Sequence, residues 1–153
     1  MLSFKDEVCK PTKGSKYSAA VDLYAAEDKT IYAGKTCIIP LGVWIDQKAI
    51  MQNCQMNYNE FRKCNYLQLE PRSSLRVKGL QAGTGIIDLD YPDEIKLIVS
   101  SLDPTYRIKK GDKIAQILLK EHKTYLLGID TDDERVGGFG STDLTPKVHG
   151  DKK

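Results

Sequence analysis

The sequence lacks any long hydrophobic run and any marked excess of one charge. No apolar stretch approaches the roughly 18 residues that a membrane span needs, and the opening MLSFKDEVCK lacks the apolar stretch of a signal peptide. With 23 basic and 21 acidic residues, the net charge of +2 gives no electrostatic argument for binding nucleic acid or a membrane. We therefore expect a soluble, intracellular protein that holds any anionic ligand with local groups.

Cysteine and histidine are also scarce, and their spacing does not suit a metal site. No two cysteines form a C-x-x-C pair, and the two histidines lie far apart; the residues are Cys9, Cys37, Cys54, Cys64, His122 and His149. The sequence therefore suggests neither a zinc site nor a disulfide framework. Free thiols in a reducing compartment are expected.

What the sequence does contain is a series of short β-like segments separated by glycine and proline. The length of 153 residues, with 41% hydrophobic and 29% charged residues, is typical of one globular domain. Alternating patterns predict strands at residues 20–24, 29–32, 36–39, 42–45, 66–70, 106–108, 114–119 and 124–129. Turn signals about every 8 to 12 residues indicate an all-β sandwich or barrel.

Residues 79–101, GLQAGTGIIDLDYPDEIKLIVSS, have the pattern of a β-hairpin. Two apolar runs flank the turn-forming residues 90–93, and glycines at 83 and 85 leave bare backbone groups that can approach a flat ligand. Asp88 interrupts the first apolar run. Because burying an unpaired carboxylate costs several kcal/mol, Asp88 should face either solvent or a site.

Two segments differ from this β pattern. Residues 47–63, QKAIMQNCQMNYNEFRK, are polar with scattered hydrophobic side chains and fit either a helical turn or a long loop. Beyond residue 130 hydrophobic residues almost vanish, so this tail should be flexible until something orders it. Pro71 ends the strand before it. A short turn or helix is predicted to follow, starting at Arg72 and reaching Val77.

Five short motifs resemble those of the trimeric all-β dUTP pyrophosphatases (dUTPases) and occur in that family's order. They are AAVDLYAAE at 19–27, PRSSL at 71–75, GIIDLDYPDEI at 85–95, GDKIAQILL at 111–119 and RVGGFGSTD at 135–143. The resemblance implies a distorted jelly-roll, or β-clip, subunit that assembles as a homotrimer. Residues 1–130 would form the β domain, with an insertion loop at 47–65, and residues 131–153 a flexible tail carrying the fifth motif.

The resemblance also implies an activity. A dUTPase hydrolyses dUTP to dUMP and pyrophosphate by Mg²⁺-assisted, in-line attack of water on the α-phosphorus, which limits uracil in DNA and supplies dUMP for dTTP synthesis. Asp88 matches the general base, since a carboxylate on a rigid element can hold and deprotonate a water. The catalytic residues implied are Asp88, Arg72 and Gln116.

The same motifs imply a set of substrate contacts. The phosphate chain would contact Arg72, Ser73, Ser74 and Gln116. Uracil would contact the backbone of Gly83, Gly85, Ile86 and Ile87, and Lys96 would lie at the border of the uracil pocket. The ring of Tyr91 would lie under the deoxyribose and exclude a 2′-hydroxyl. In the tail, Phe139 would stack on uracil while the phosphates are reached by Arg135, Gly140, Ser141 and Thr142. Asp22 would act on Mg²⁺ through ordered waters or by fixing the site.

Simpler interpretations stay open for each motif. Asp88 could sit on a plain surface hairpin, Tyr91 could pack against its neighbours, and an isolated PRSS is more often a turn than a phosphate site. Arg135 stands four residues before Phe139, whereas the family arginine commonly stands five before, which puts its reach to the γ-phosphate in doubt.

Two other functions are also open. A dCTP deaminase of the same superfamily needs a glutamate base, and residues 79–91 contain no glutamate. A nucleotide-gated binding protein is the second alternative, with its regulatory partner on residues 47–63. Turnover of dUTP distinguishes that protein from an enzyme.

Overall fold

The structure, a computed structural model, describes residues 1–53 and 57–133. Within these ranges the chain forms short antiparallel strands and a few helices. The strands are β1 (Leu2–Phe4), β2 (Thr12–Lys13), β3 (Val21–Tyr24), β4 (Lys29–Ile31), β5 (Thr36–Pro40), β6 (Val43–Ile45), β7 (Asn65–Pro71), β8 (Leu80–Gln81), β9 (Gly85–Asp88), β10 (Lys96–Ser101), β11 (Tyr106–Ile108) and β12 (Lys113–Glu121). The α-helices are α1 (Gln47–Asn53), α2 (Tyr58–Cys64) and α3 (Ser73–Val77), and 3₁₀ helices cover Glu7–Cys9 and Thr124–Leu127.

These strands confirm the all-β prediction. The largest sheet among the described residues has the order β2-β3-β12-β7-β9, and a second has the order β5-β10-β8. Strand β1 also pairs with β6, and β11 pairs with β4. Every strand pair among the described residues is antiparallel. None of the helices in the two described ranges is both long and apolar enough to cross a membrane.

The hydrophobic core lies between the sheets and takes alternate residues from each. In β7 and β10 every second side chain is buried, as expected for antiparallel strands with one face on a core. The core side chains from the five-stranded sheet include Leu23, Leu67, Leu69 and Ile117, and those from the three-stranded sheet include Ile39, Leu97 and Val99. Each contributes about 1.5–3 kcal/mol by leaving water.

The predicted hairpin within residues 79–101 is wrong. Strand β9 pairs with β7, whereas β10 pairs with β5 and β8, so the two apolar runs belong to different sheets. The segment from the end of the first run to the start of the second is buried in the core at Leu89, Tyr91 and Ile95. The backbone of Ile95 hydrogen-bonds to Val43 and Leu41. Burying this apolar link against the other sheet displaces the local pairing that the sequence pattern suggested.

The described parts of the segment at residues 47–65 take the helical alternative, since Gln47–Asn53 forms α1 and Tyr58–Cys64 forms α2 in place of a plain loop. Helix α1 begins after Asp46, whose side chain accepts a hydrogen bond from the Ala49 amide at 3.1 Å. Helix α2 begins after Asn57, whose side chain accepts from the Asn59 amide at 2.8 Å. These side-chain caps satisfy amides that would otherwise lack a partner in the first helical turn.

The strand predicted at residues 124–129 is also wrong, because Thr124–Leu127 forms a 3₁₀ helix. Gly128 ends it with a left-handed backbone conformation, φ +71°, that glycine adopts without strain. Hydrophobic side chains here are exposed in succession rather than in alternation; they are Tyr125, Leu126, Leu127 and Ile129. By contrast, α3 confirms the short helix predicted after Pro71.

Candidate active site

An ion pair between Arg72 and Asp22 lies at one end of the five-stranded sheet. Asp22 is in β3 and only 6% exposed, whereas Arg72 follows the last residue of β7 and is half-buried. Arg72 Nη1 donates a 2.6 Å hydrogen bond to Asp22 Oδ1, and Lys113 Nζ lies 3.6 Å from Asp22 Oδ2. Because a guanidinium carries five N–H donors, this bond orients Arg72 and leaves donors for an anion.

The sheet register brings Gln116 to the same place. Gln116 in β12 lies directly opposite Asp22 in β3 and Glu70 in β7. A cavity of about 250 Å³ is lined by Arg72, Ser73 and Gln116, among others. Ser74 is exposed beside it at the start of α3. A guanidinium, a hydroxyl and an amide around one cavity are well suited to phosphate oxygens.

Arg76 is a residue of this region that the motifs did not reveal. It lines the cavity of about 250 Å³ and also a larger cleft of about 680 Å³. Its position four residues after Arg72 is the signal that sequence reasoning could have used, because residues at that spacing share one face of a helix. Arg76 therefore adds a second guanidinium where the two cavities meet.

The larger cleft is lined by half of the predicted base-contacting segment and by the residue predicted at its border. Its lining includes Gly83, Gly85 and Lys96, together with Thr84 and Ser100. A side chain at position 83 would meet nothing within 4 Å, so the bare backbone there faces open space. The two isoleucines predicted beside them lie elsewhere: Ile86 is exposed and Ile87 packs partly against the core.

Asp88 ends β9 with an exposed side chain, and a tight turn follows it. The Tyr91 amide donates to the Asp88 carbonyl at 3.0 Å. The Tyr91 ring is only 6% exposed, and its hydroxyl donates to the Glu94 carbonyl at 3.1 Å. The packing interpretation of Tyr91 therefore holds in the single chain, and the Tyr91 backbone is bonded to that of Asp88.

Asp88 and Arg72 lie at opposite ends of the same pair of strands. The register places Asp88 opposite Tyr66, which is six residues before Arg72. At about 3.3 Å per residue, the two side chains start about 20 Å apart. One chain therefore does not bring Asp88 together with Arg72, Ser73 and Gln116.

The described ranges contain no group of three or more histidine, cysteine, aspartate and glutamate side chains that could hold a metal ion. Asp22, the candidate for magnesium, has both carboxylate oxygens near cations of this chain. It is therefore better placed to orient Arg72 than to bind an ion directly. Five predicted site residues fall outside the described ranges, namely Arg135, Phe139, Gly140, Ser141 and Thr142.

Comparison with known proteins gives the class of this all-β chain. A family model described as dUTPase matches residues 6–143, and the chain therefore belongs to the dUTPase family. Among curated relatives, the deoxyuridine 5′-triphosphate nucleotidohydrolase of Candida glabrata is 32% identical over 139 residues, which cover 86% of this chain and 87% of that protein. The proteins of the same name from Saccharomyces cerevisiae and Variola virus are each 34% identical; they match 86% and 88% of this chain, and 85% of their own length.

Solved structures show the same fold. The dUTPase from Streptococcus mutans aligns with a TM-score of 0.62 at 24% identity, covering 80% of this chain and 95% of that one. The dUTPase from phage phi11 of S. aureus aligns with a TM-score of 0.62 at 17% identity, covering 93% and 98%. This likeness confirms the dUTPase-like fold that the five motifs predicted.

Proposed function

We propose that this chain hydrolyses dUTP to dUMP and pyrophosphate, with Asp88 as the general base. Membership of the dUTPase family and the names of its relatives support the reaction. The structural observation that carries it is the cavity lined by Arg72, Ser73 and Gln116, together with the bond from Arg72 to Asp22 that orients the guanidinium. Such a reaction keeps uracil out of DNA and supplies dUMP for dTTP synthesis. Because the nucleotide substrate occurs inside cells, we propose an intracellular enzyme.

The chemistry is an in-line displacement at the α-phosphorus. Asp88 accepts a proton from a water molecule while the water oxygen bonds to phosphorus. The bond from the α-phosphorus to the bridging oxygen breaks, and pyrophosphate leaves with that electron pair. A positioned base of this kind contributes about 10² to 10⁴-fold to the rate. The exposed carboxylate at the end of β9 is accessible to such a water.

The site is proposed to combine groups from different subunits of a homotrimer. The separation of about 20 Å along β7 supports this arrangement. The phosphate chain of one dUTP molecule cannot bind Arg72 and also present its α-phosphorus to Asp88 of the same subunit. Asp88 and the base-contacting segment come from one subunit, and the phosphate-binding turn from a second. The third supplies the tail, with Arg135, Phe139, Gly140, Ser141 and Thr142.

Selectivity is proposed to reside in the segment that ends at Tyr91. Uracil presents an acceptor, donor, acceptor row, which bare backbone groups at Gly83 and Gly85 can match, with Ile86 and Ile87 continuing the segment and Lys96 bordering it. The rigid ring of Tyr91 excludes a 2′-hydroxyl. Steric exclusion of this kind is effective because binding alone rejects an added hydroxyl poorly.

Magnesium is proposed to be held mainly by the oxygens of the triphosphate, with Asp22 acting through ordered waters or by fixing Arg72. The ion would supply neutralisation of phosphate charge. A solved mutant of the phage phi11 dUTPase is described as revealing the coordination of a structural Mg(II) ion. The two cations near Asp22 support its indirect role.

Pyrophosphate release from dUTP, UTP, dCTP and dTTP, measured with Mg²⁺, tests the proposed function. We expect turnover of dUTP alone, near-complete loss in Asp88→Asn, and severe loss in a chain that ends before Arg135. If the protein binds dUTP without releasing pyrophosphate, the hydrolytic function is wrong and a nucleotide-gated binding protein is favoured. If UTP is turned over equally, the role of Tyr91 is wrong.

A further inference from the structure

The first residue of α1 contacts the backbone next to the proposed general base. Gln47 Nε2 donates a 2.8 Å hydrogen bond to the carbonyl oxygen of Leu89, the residue after Asp88. Gln47 is half-buried, and the bond joins residues far apart in sequence. The helix that the sequence left without a role therefore contacts the turn of residues 88–91.

Helix α1 is itself firmly held, so it can serve as a fixed support. The Asp46 side chain caps its first turn, and the Asp46 amide donates to the Met1 carbonyl at 2.6 Å. On the inner face, Ile50 is 3% exposed and belongs to the hydrophobic core. A hydrogen bond from a helix anchored in this way limits movement of the group that accepts it.

Helix α2 leads directly into β7, the strand that pairs with β9 and so with Asp88. The Tyr58 side chain of α2 is partly buried against the hydrophobic core. Burial raises the pKa of the Tyr58 hydroxyl in α2, and the negative charge of Asp90 acts in the same direction, against the opposing effect of Arg62. The charge of Asp90 thus acts on a group of α2, whereas the hydrogen bond to the turn comes from α1.

We propose that helix α1 braces the turn of residues 88–91, and that Gln47 is a positioning residue for Asp88. The inference rests on the proposed role of Asp88 as general base. By fixing the Leu89 carbonyl, Gln47 keeps the backbone between Asp88 and Tyr91 in one conformation. The Asp88 carboxylate then stays aligned with its water in the enzyme–substrate complex, where a small displacement lowers the rate.

The test compares Gln47→Met with Gln52→Met in the full-length protein. Methionine keeps the length of glutamine but removes the donor, and Gln52 is an exposed glutamine in the same helix. We expect Gln47→Met to lower kcat for dUTP about two- to tenfold with little change in KM, which matches the loss of one hydrogen bond. Hydrogen exchange of the Tyr91 amide should become faster, while Gln52→Met should resemble wild type in both measurements.

Unchanged kcat and unchanged exchange at Tyr91 in Gln47→Met would overturn the brace. A uniform rise in exchange across the protein would also overturn it, because that result indicates general destabilisation. If Gln47→Met is insoluble, Gln47→Glu keeps the shape and removes the donor. Hydrogen exchange is measured on the free protein and does not depend on catalysis. If wild type fails to hydrolyse dUTP, the proposed function is wrong, whereas exchange at the Tyr91 amide still tests the Gln47 contact.

Discussion

Arg72 Nη1 lies 2.6 Å from Asp22 Oδ1, at a position where Asp22 is buried and Arg72 still reaches a cavity. The pair joins the first and second motifs, and its two residues are 50 positions apart in the sequence. Its consequence is functional as well as structural, because a guanidinium held at one end presents its other donors in a fixed direction.

Replacing Asp22 should therefore affect both stability and substrate binding. We expect Asp22→Ala to lower the unfolding free energy by about 1–3 kcal/mol, since it leaves Arg72 and Lys113 without their carboxylate. Urea unfolding measures this change, and KM for dUTP should rise. The matched control is Asp28→Asn, whose 3.3 Å pair with Arg107 is exposed to solvent and should contribute little to stability. Equal effects from the two substitutions would contradict the role given to Asp22.

The separation of Asp88 and Arg72 predicts complementation between inactive subunits. Asp88→Asn and Arg72→Ala should each be nearly inactive. When the two are unfolded together and refolded at equal amounts, random assembly should restore about one quarter of wild-type activity, because one site in four receives Asp88 and Arg72 from intact neighbours.

Pyrophosphate release measures the recovered activity, and sedimentation should show an assembly of three chain masses. Separately refolded variants, mixed afterwards without exchange, serve as the control. A trimer that recovers no activity on co-refolding would show that Asp88 and Arg72 act from the same chain.

Removing the Tyr91 ring should admit the ribonucleotide. We expect Tyr91→Ala to lower the ratio of kcat/KM for dUTP to that for UTP by about tenfold or more, because the excluded volume beside the sugar is lost. Tyr91→Phe retains the ring and loses the hydrogen bond from the hydroxyl to the Glu94 carbonyl, so discrimination should persist with a loss of about 1 kcal/mol in stability. Tyr32→Ala, at an exposed tyrosine, is the control and should change neither property. Retained discrimination in a folded Tyr91→Ala protein would contradict the steric role.

The pair of Asp6 and Lys110 should make stability depend on acid pH. The hydrogen bond from Lys110 Nζ, at 3.1 Å, is the main cause that lowers the pKa of Asp6 in the folded state, and the bond from Cys9 adds to it. Because the folded pKa lies below the unfolded value of about 3.9, this stabilisation is present above that value. It is lost as the pH falls through the folded pKa.

Melting temperatures of wild type and Asp6→Asn between pH 7 and pH 3 measure this dependence. The difference between the two proteins should shrink as the pH falls below about 4. A difference that stays constant over the whole range would show that the charge of Asp6 contributes nothing to stability.

Much of the candidate site could be proposed from the sequence because motif chemistry is local. PRSSL placed a guanidinium and hydroxyls at the end of a strand, and the structure gathers Arg72, Ser73 and Gln116 around one cavity. The exposure of Asp88 also followed from its carboxylate among hydrophobic neighbours. Arg76 and Gln47 were missed, since a single arginine or glutamine carries no motif and its importance depends on what the fold places beside it.

Apart from residues 124–129, the positions of the longer strands and their buried faces were determined by the sequence itself, because alternation records which side chains leave water. The partners of those strands were decided only by the tertiary structure. Strands β9 and β10 join different sheets because the buried link through Leu89, Tyr91 and Ile95 gains more from the core than a hairpin would gain from local pairing. The bond from Gln47 to Leu89 and the distance from Asp88 to Arg72 likewise depend on long-range packing, which no local pattern of residues encodes.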